Sequence, residues 1–160
     1  MIYMQAKKMS ENEKRELEKI VEKNYGAELD LSGFDCYINN RNEIYVVSKS
    51  VDERLIPIAS YAGMYFGRLK RNGKIQLSVE GSQFVGKLAN KNIAIVDDEN
   101  ISRYMEGLEC KWSELINCEV NNFVLIKNGN DFFGSGILRE DKIESLVPKA
   151  RRIMKTMRKV

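Results

Sequence analysis

The chain has 160 residues, 43% of them hydrophobic and 31% charged, which is enough apolar material for one domain of ordinary size or two small ones in contact. Its formal net charge is +3, yet residues 149–160 hold six of the 26 Lys and Arg and none of the 23 Asp and Glu, leaving 20 basic against 23 acidic residues in 1–148. The basicity is local, which excludes a uniformly cationic protein and points to one polyanion-contacting end.

In chain order, Met1-Ile2-Tyr3-Met4 ahead of Lys7-Lys8 lacks a secretory layout, and no apolar run approaches the length of a membrane span. The expected location is cytoplasmic. Ser10 and Glu13 form a capping-box pattern, followed by Leu17, Ile20, Val21 and Tyr25 at helical spacing and Gly26 as a stop. This predicts an amphipathic helix from about Glu11 to Tyr25, with Lys14 among the solvent-facing charges. Phe34–Ile38 and Glu43–Val47 are β-prone runs around the turn-forming Asn39-Asn40-Arg41-Asn42. Ser48–Leu55 is compatible with one or two helical turns before Pro57. Tyr61–Leu69 reads as a long strand with close backbone approaches at Gly63 and Gly67. Asn72-Gly73 then turns the chain into Ile75–Val79, with Arg68, Lys70, Arg71 and Lys74 grouped around it as a second basic cluster.

Glu80–Leu88 is expected to be a short helix with Phe84, Val85 and Leu88 inward. The polar Ala89-Asn90-Lys91-Asn92 marks a boundary between domains 1–90 and 91–160. Ile93–Val96 is a buried strand, and Asp97-Asp98-Glu99 starts a helix carrying Ile101, Tyr104 and Met105 that ends at Gly107. Acidic residues there suit the positive end of the helix dipole, with a metal or catalytic cluster as the rival explanation. Phe123–Ile126, the Asn128-Gly129 turn and the strand reopening at Phe132-Phe133 form a hairpin. A third β segment, Ile143–Val147, stops at Pro148.

Constellations for chemistry are scarce. With no histidine there is no Ser-His-Asp or Cys-His arrangement, and Cys36, Cys110 and Cys118 lie in no zinc-ligand spacing. They read as free thiols of a reducing compartment. Gly134-Ser135-Gly136 lacks the following Gly-Lys-Ser/Thr of a phosphate loop. No catalytic residue, cofactor or metal is expected. Trp112, Phe123, Phe132 and Phe133 raise base stacking as a use, but in so small a sheet the aromatics are needed as core.

The basic end begins at Pro148. If Pro148 opens a helix, Ile153, Met157 and Val160 fall on one side, while Arg151, Lys155, Arg158 and Lys159 cluster on another with Arg152 beside them. That ridge could meet several phosphates of a folded RNA, and the bidentate Arg fork suits RNA. Complementation of a helix dipole accounts for one or two such cations, not six without one acid.

The hydrophobic strand, the polar hairpin, the Phe133-Gly134-Ser135-Gly136-Ile137-Leu138 strand and the Val147-Pro148-Lys149-Ala150-Arg151-Arg152 ending together resemble the PUA domain, an RNA-binding module. The nearest variants are the PUA-like domain of Sun/NOL rRNA cytosine methyltransferases and the small pre-PUA plus PUA ribosome-biogenesis proteins of the Nip family. The N-terminal half matches by its order of elements and by Gly63-Met64-Tyr65-Phe66-Gly67-Arg68. The resemblance implies an α+β fold, with a pre-PUA helix over an antiparallel sheet followed by a PUA-like β pseudo-barrel. It implies a non-enzymatic binder of rRNA or pre-rRNA that acts as a ribosome-biogenesis or RNA-modification accessory factor. It places RNA against the region of Arg103, the Gly107–Lys111 loop and the Val147–Arg152 ending, although Leu108-Glu109-Cys110 departs from the family's glycine-rich, basic loop. The expected RNA-binding set is Lys149, Arg151, Arg152, Lys155, Arg158, Lys159, Arg103 and Lys111. The cofactor glycine motif and Pro-Cys nucleophile of the methyltransferases are missing. A protein partner is expected on residues 1–90. The alternatives are an interaction adaptor within an RNA-processing complex and a small RNA-modification enzyme subunit.

Overall fold

The computed structural model describes residues 6–49 and 63–153. These residues form an α+β arrangement of two five-stranded sheets and three α-helices. The first sheet is antiparallel throughout, in the order β1 (Lys7–Lys8), β2 (Phe34–Ile38), β3 (Glu43–Ser48), β4 (Met64–Leu69) and β5 (Ile75–Leu77). The expected helical turns over Ser48–Leu55 fall, beyond Lys49, outside the described residues, as do the first two residues of the strand expected from Tyr61. The Asn72-Gly73 signal closes a 3-10 turn over Arg71–Gly73, with Asn72 itself in the left-handed region.

Helix α1 (Glu11–Tyr25) has the boundaries its caps encode. Ser10 and Glu13 exchange both capping hydrogen bonds, and Gly26 closes the other end in a left-handed conformation. Leu17, Val21 and Tyr25 are buried against Ile44, Val46, Phe66, Ile75 and Leu77 of the first sheet, and the Tyr25 hydroxyl donates to the Ile75 carbonyl at 2.7 Å. Lys14 corrects the sequence reading. Its side chain is buried, and Nζ donates to the Phe34 carbonyl at 2.8 Å with Glu11 Oε1 at 3.3 Å. The long aliphatic stem packs inward because the ammonium has an acceptor at the end of β2.

Helix α2 (Val79–Gly86) starts at Ser78, whose Oγ accepts from the Gly81 amide. Val85 is buried, as expected. Leu88 is not: it lies beyond the helix end and is 51% exposed. The helix fits because of two glycines. A Cβ at Gly81 would stand 2.0 Å from the Phe66 carbonyl oxygen of the first sheet, and one at Gly86 would stand 2.6 Å from the Phe132 ring of the second.

The second sheet has the order β10 (Ile143–Ser145), β9 (Asp131–Leu138), β8 (Asn122–Asn128), β6 (Ile93–Ile95) and β7 (Glu114–Ile116). Its hairpin β8–β9 turns at Gly129-Asn130, and β6 runs parallel to β8 because α3 (Asp98–Met105) and β7 intervene. Among the described residues no ladder joins β10 to β7, so no closed barrel forms; a single bridge, Cys110 to Ile143, spans that side. The third β segment stops at Ser145, short of the expected Val147.

The two sheets share one core cluster. Val85, Ile93, Leu125 and Phe132 are buried in the same cluster as α1 and the first sheet, while Ala94, Val96, Tyr104, Val124, Ile126 and Leu138 form a second cluster. The Asn90–Asn92 connector is hydrogen-bonded as well. The Asn90 amide donates to the Tyr25 carbonyl at 2.9 Å and Asn92 Nδ2 to the Asn24 carbonyl at 2.6 Å, satisfying the last carbonyls of α1. Every non-glycine residue of the described chain with positive φ is an asparagine: Asn42, Asn72, Asn92, Asn117 and Asn121.

Helix propensity alone favours Ala over Gly by about 1 kcal/mol, so Gly81→Ala tests the wedge by sign. The expected outcome is a net destabilisation of roughly 2 kcal/mol, because a backbone carbonyl cannot step aside. Urea unfolding followed by circular dichroism measures it.

Candidate nucleic-acid interface

Helix α3 is the first structural part of the site, and its acidic start is a cap. Asp97 accepts from the Asn100 amide at 2.8 Å and from Asn100 Nδ2 at 2.9 Å, and Asp98 accepts from Asn128 Nδ2 at 3.1 Å. The hydrogen bonds from Asn100 hold the Asp97 carboxyl below its usual range. Among the described residues no group of three or more His, Cys, Asp or Glu is placed to hold a metal ion.

Arg103, near the end of α3, is exposed, and its Nε donates to the Glu109 carbonyl at 2.8 Å, so its fork is tied to the following loop. Lys111 sits at the far end of that loop, where its amide donates to Asn100 Oδ1 at 2.8 Å and its Nζ reaches the Asp141 carbonyl. Glu109 pairs with Lys142 at 3.0 Å, and that contact raises the lysine's pKa. Arg103, Lys111, Lys142, Glu99 and Glu109 therefore surround one cavity of about 330 Å3. Glu99 of α3 and Glu109 of the departing Leu108-Glu109-Cys110 run make it a mixed surface. Cys110 is buried, which pushes its thiol up to about 11.

The C-terminal candidates part company. Pro148 precedes a single 3-10 turn over Lys149–Arg151, and Arg152 is already extended with φ −71° and ψ 140°. Within the described residues the helix expected from Pro148 thus ends after one turn, because the Ile153 amide donates to the Met105 carbonyl at 2.8 Å and draws the chain along the end of α3. Lys149 and Arg151 remain exposed. Arg151 reaches across to Glu80 in the first turn of α2. Arg152 turns the other way and lies over Gly107, whose φ of +81° and missing Cβ leave the space: a Cβ there would come within 2.4 Å of Arg152 Nε. That Nε is buried and has no hydrogen-bond acceptor among the described residues. The guanidinium charge beside the C-terminal end of α3 complements its dipole. Lys155, Arg158 and Lys159, with the expected apolar partners Met157 and Val160, lie outside the described residues.

Two members of the second basic cluster are held by acceptors of the protein. Arg68 Nε donates to the Arg41 carbonyl at 3.0 Å and Lys74 Nζ to Asn122 Oδ1 at 2.8 Å. Of the aromatics, Phe132 is buried, and Trp112 and Phe133 pack partly buried against the second core cluster.

A cavity of about 610 Å3 was not foreseen. It opens between β4 and β5 of the first sheet, the start of α2, β9 of the second sheet and the C-terminal turn, with Glu80 and Arg151 in its lining. On its inner side the buried Tyr104 hydroxyl donates to the Ser135 carbonyl at 2.8 Å, and Ser135 Oγ donates to the Leu77 carbonyl at 2.7 Å. Burial raises the Tyr104 pKa further above the ordinary phenol value. No spacing rule links segments so far apart; only the Gly134-Ser135-Gly136 run marks one wall.

No family model matches the sequence, and no curated protein matches it. Among solved structures, the chain is similar to a PUA domain from Aeropyrum pernix K1, determined as a tartrate complex, with a TM-score of 0.57, 10% identity, and coverage of 89% of this chain and 84% of that one. The likeness shows a PUA-like fold.

Acid titration checks the cap. A depressed folded pKa contributes stability that is fully present above the unfolded carboxylate value and is lost as pH falls through the folded one. The Asp97 carboxyl lies below the ordinary aspartate value of 3.8, so the urea midpoint is expected to drop as pH is lowered from above that value. Asp97→Asn, which keeps an N-cap acceptor, should show a shallower drop.

Proposed function

We propose that this chain is a non-catalytic binder of structured RNA, rRNA or its precursor, acting as an accessory factor of ribosome biogenesis or RNA modification in the cytoplasm. The observation that carries the reading is the acid-free run of six cations in residues 149–160, which departs from an exposed turn bearing Lys149 and Arg151. A PUA-like fold around it supports the reading. Phosphate contacts supply affinity and position, and RNA shape supplies selectivity. Arg103 and Lys111 are secondary contacts, since each already serves a carbonyl of the protein. Arg152 acts from beneath, fixing the direction in which the chain leaves α3.

The same proposal assigns residues 1–90 as a pre-PUA-like domain and 91–160 as a PUA-like pseudo-barrel, in the manner of the Nip-family proteins. The change of sheet at Asn90–Asn92 and the Cys110–Ile143 bridge support it. A protein-adaptor role is the second reading. It draws on Leu88, exposed beside Leu29 and Phe84 along a shallow groove of the N-terminal half.

A salt titration of binding to a structured rRNA fragment tests the proposal. Replacing Lys149 and Arg151 together by Ala should lower the log-log salt slope by roughly 1.5, at about 0.7 to 0.9 per phosphate contact. Thermal stability should change little, since both side chains are exposed. No RNA binding by the wild type, together with capture of a protein partner that Leu88→Glu abolishes, would move the adaptor reading ahead.

A further inference from the structure

The cleft beneath Arg151 has no role in the ridge of cations proposed above. Its volume of about 610 Å3 lies within the roughly 300–1,000 Å3 range of ligand sites, and both halves of the chain build it. Leu77, Val79, Leu146 and Pro148 give it apolar walls, and Arg151 and Glu80 give it an ion pair. Arg151 is about half exposed and Glu80 somewhat less, with side-chain exposures of 49% and 39%. Such a pair contributes little to stability and exchanges partners at small cost.

We propose that this cleft accepts one unpaired nucleotide of the bound RNA, its base against the apolar walls and its phosphate on Arg151, which leaves Glu80 to take it. The inference rests on the RNA-binding reading. The size and mixed lining fit a nucleotide better than a bare anion, which would leave the apolar walls in water, or an alkyl chain, which would leave the ion pair without a counterpart. An Arg fork beside apolar walls suits an unstacked nucleotide, whose base seeks cover while its phosphate stays charged. A paired nucleotide cannot enter, because its base is held in the helix. Glu80 then sets a threshold: it occupies Arg151 until a phosphate displaces it, and its negative charge repels phosphates that arrive without a base to fill the cleft.

The test compares a blunt-ended RNA duplex with the same duplex carrying a single-nucleotide bulge. Wild type is expected to prefer the bulged RNA by about tenfold, the size of one base packed against protein. Ala150→Trp, at an exposed position in the cleft lining, should lose that preference. Glu80→Gln should tighten binding of both RNAs and narrow the gap between them. Amide signals of Val79, Glu80 and Ser135 should shift with the bulged RNA in the wild-type protein, a readout that needs no variant. Equal binding of both RNAs by wild type, with no shift at those amides, overturns the cleft and leaves the RNA-binding reading standing. Binding of neither RNA overturns both. Shifts with adenosine 5′-monophosphate but no preference for the bulge make the cleft a small-molecule site and overturn the proposal as well.

Discussion

The arrangement depends on the close approach of α2 to both sheets. A helix lying between two sheets ordinarily keeps the distance its side chains require, and here two of those side chains are missing. Gly81 lets the helix touch a backbone carbonyl of β4, and Gly86 lets an aromatic ring of β9 rest on the helix itself. Burial of Val85 between them joins the apolar faces of both sheets into one cluster, so hydrophobic gain that neither small sheet could reach alone is shared. The same approach brings the first turn of α2, with Glu80, opposite the C-terminal turn with Arg151.

Polar contacts then fix what the apolar contacts bring together. Ser135 donates to Leu77 across the sheets, Lys74 reaches Asn122, and the connector amides satisfy the end of α1. Each pairs a backbone or side-chain group that would otherwise be buried at a cost of roughly 1–3 kcal/mol. Rigid relative placement of the halves follows from these bonds, and the shape of the cleft between them follows from that placement.

Much of this was legible in the sequence, and the rest was lost for identifiable reasons. The first helix was legible because Ser10, Glu13 and Gly26 are local signals with local causes. The β8–β9 hairpin was legible through Asn128-Gly129 for the same reason. Lys14 was misjudged because periodicity assigns a face by residue type, while the acceptor that makes its burial tolerable lies twenty residues away at Phe34. β7 was missed because three residues at a sheet edge carry little pattern, and the parallel pairing of β6 with β8 is a matter of topology. Arg151 and Arg152 are adjacent in sequence but diverge because one meets Glu80 and the other meets the space left by Gly107. The cleft was invisible because its walls come from residues as far apart in the chain as Gly63 and Arg151.

The five left-handed asparagines divide into two kinds, with different freedom to drift over evolutionary time. Asn42 and Asn72 sit in exposed turns; their role is conformational, and glycine would fill it at little cost. Asn92, Asn117 and Asn121 also spend their amides, on Asn24 and Glu119, on Asn90, and on Arg139 respectively. At those three positions a glycine would preserve the path of the chain and lose the bond. Relatives of this protein are therefore expected to interchange Asn and Gly freely at the first two sites and to resist it at the other three, so a substitution record at these turns would distinguish shape from adhesion without any new structure.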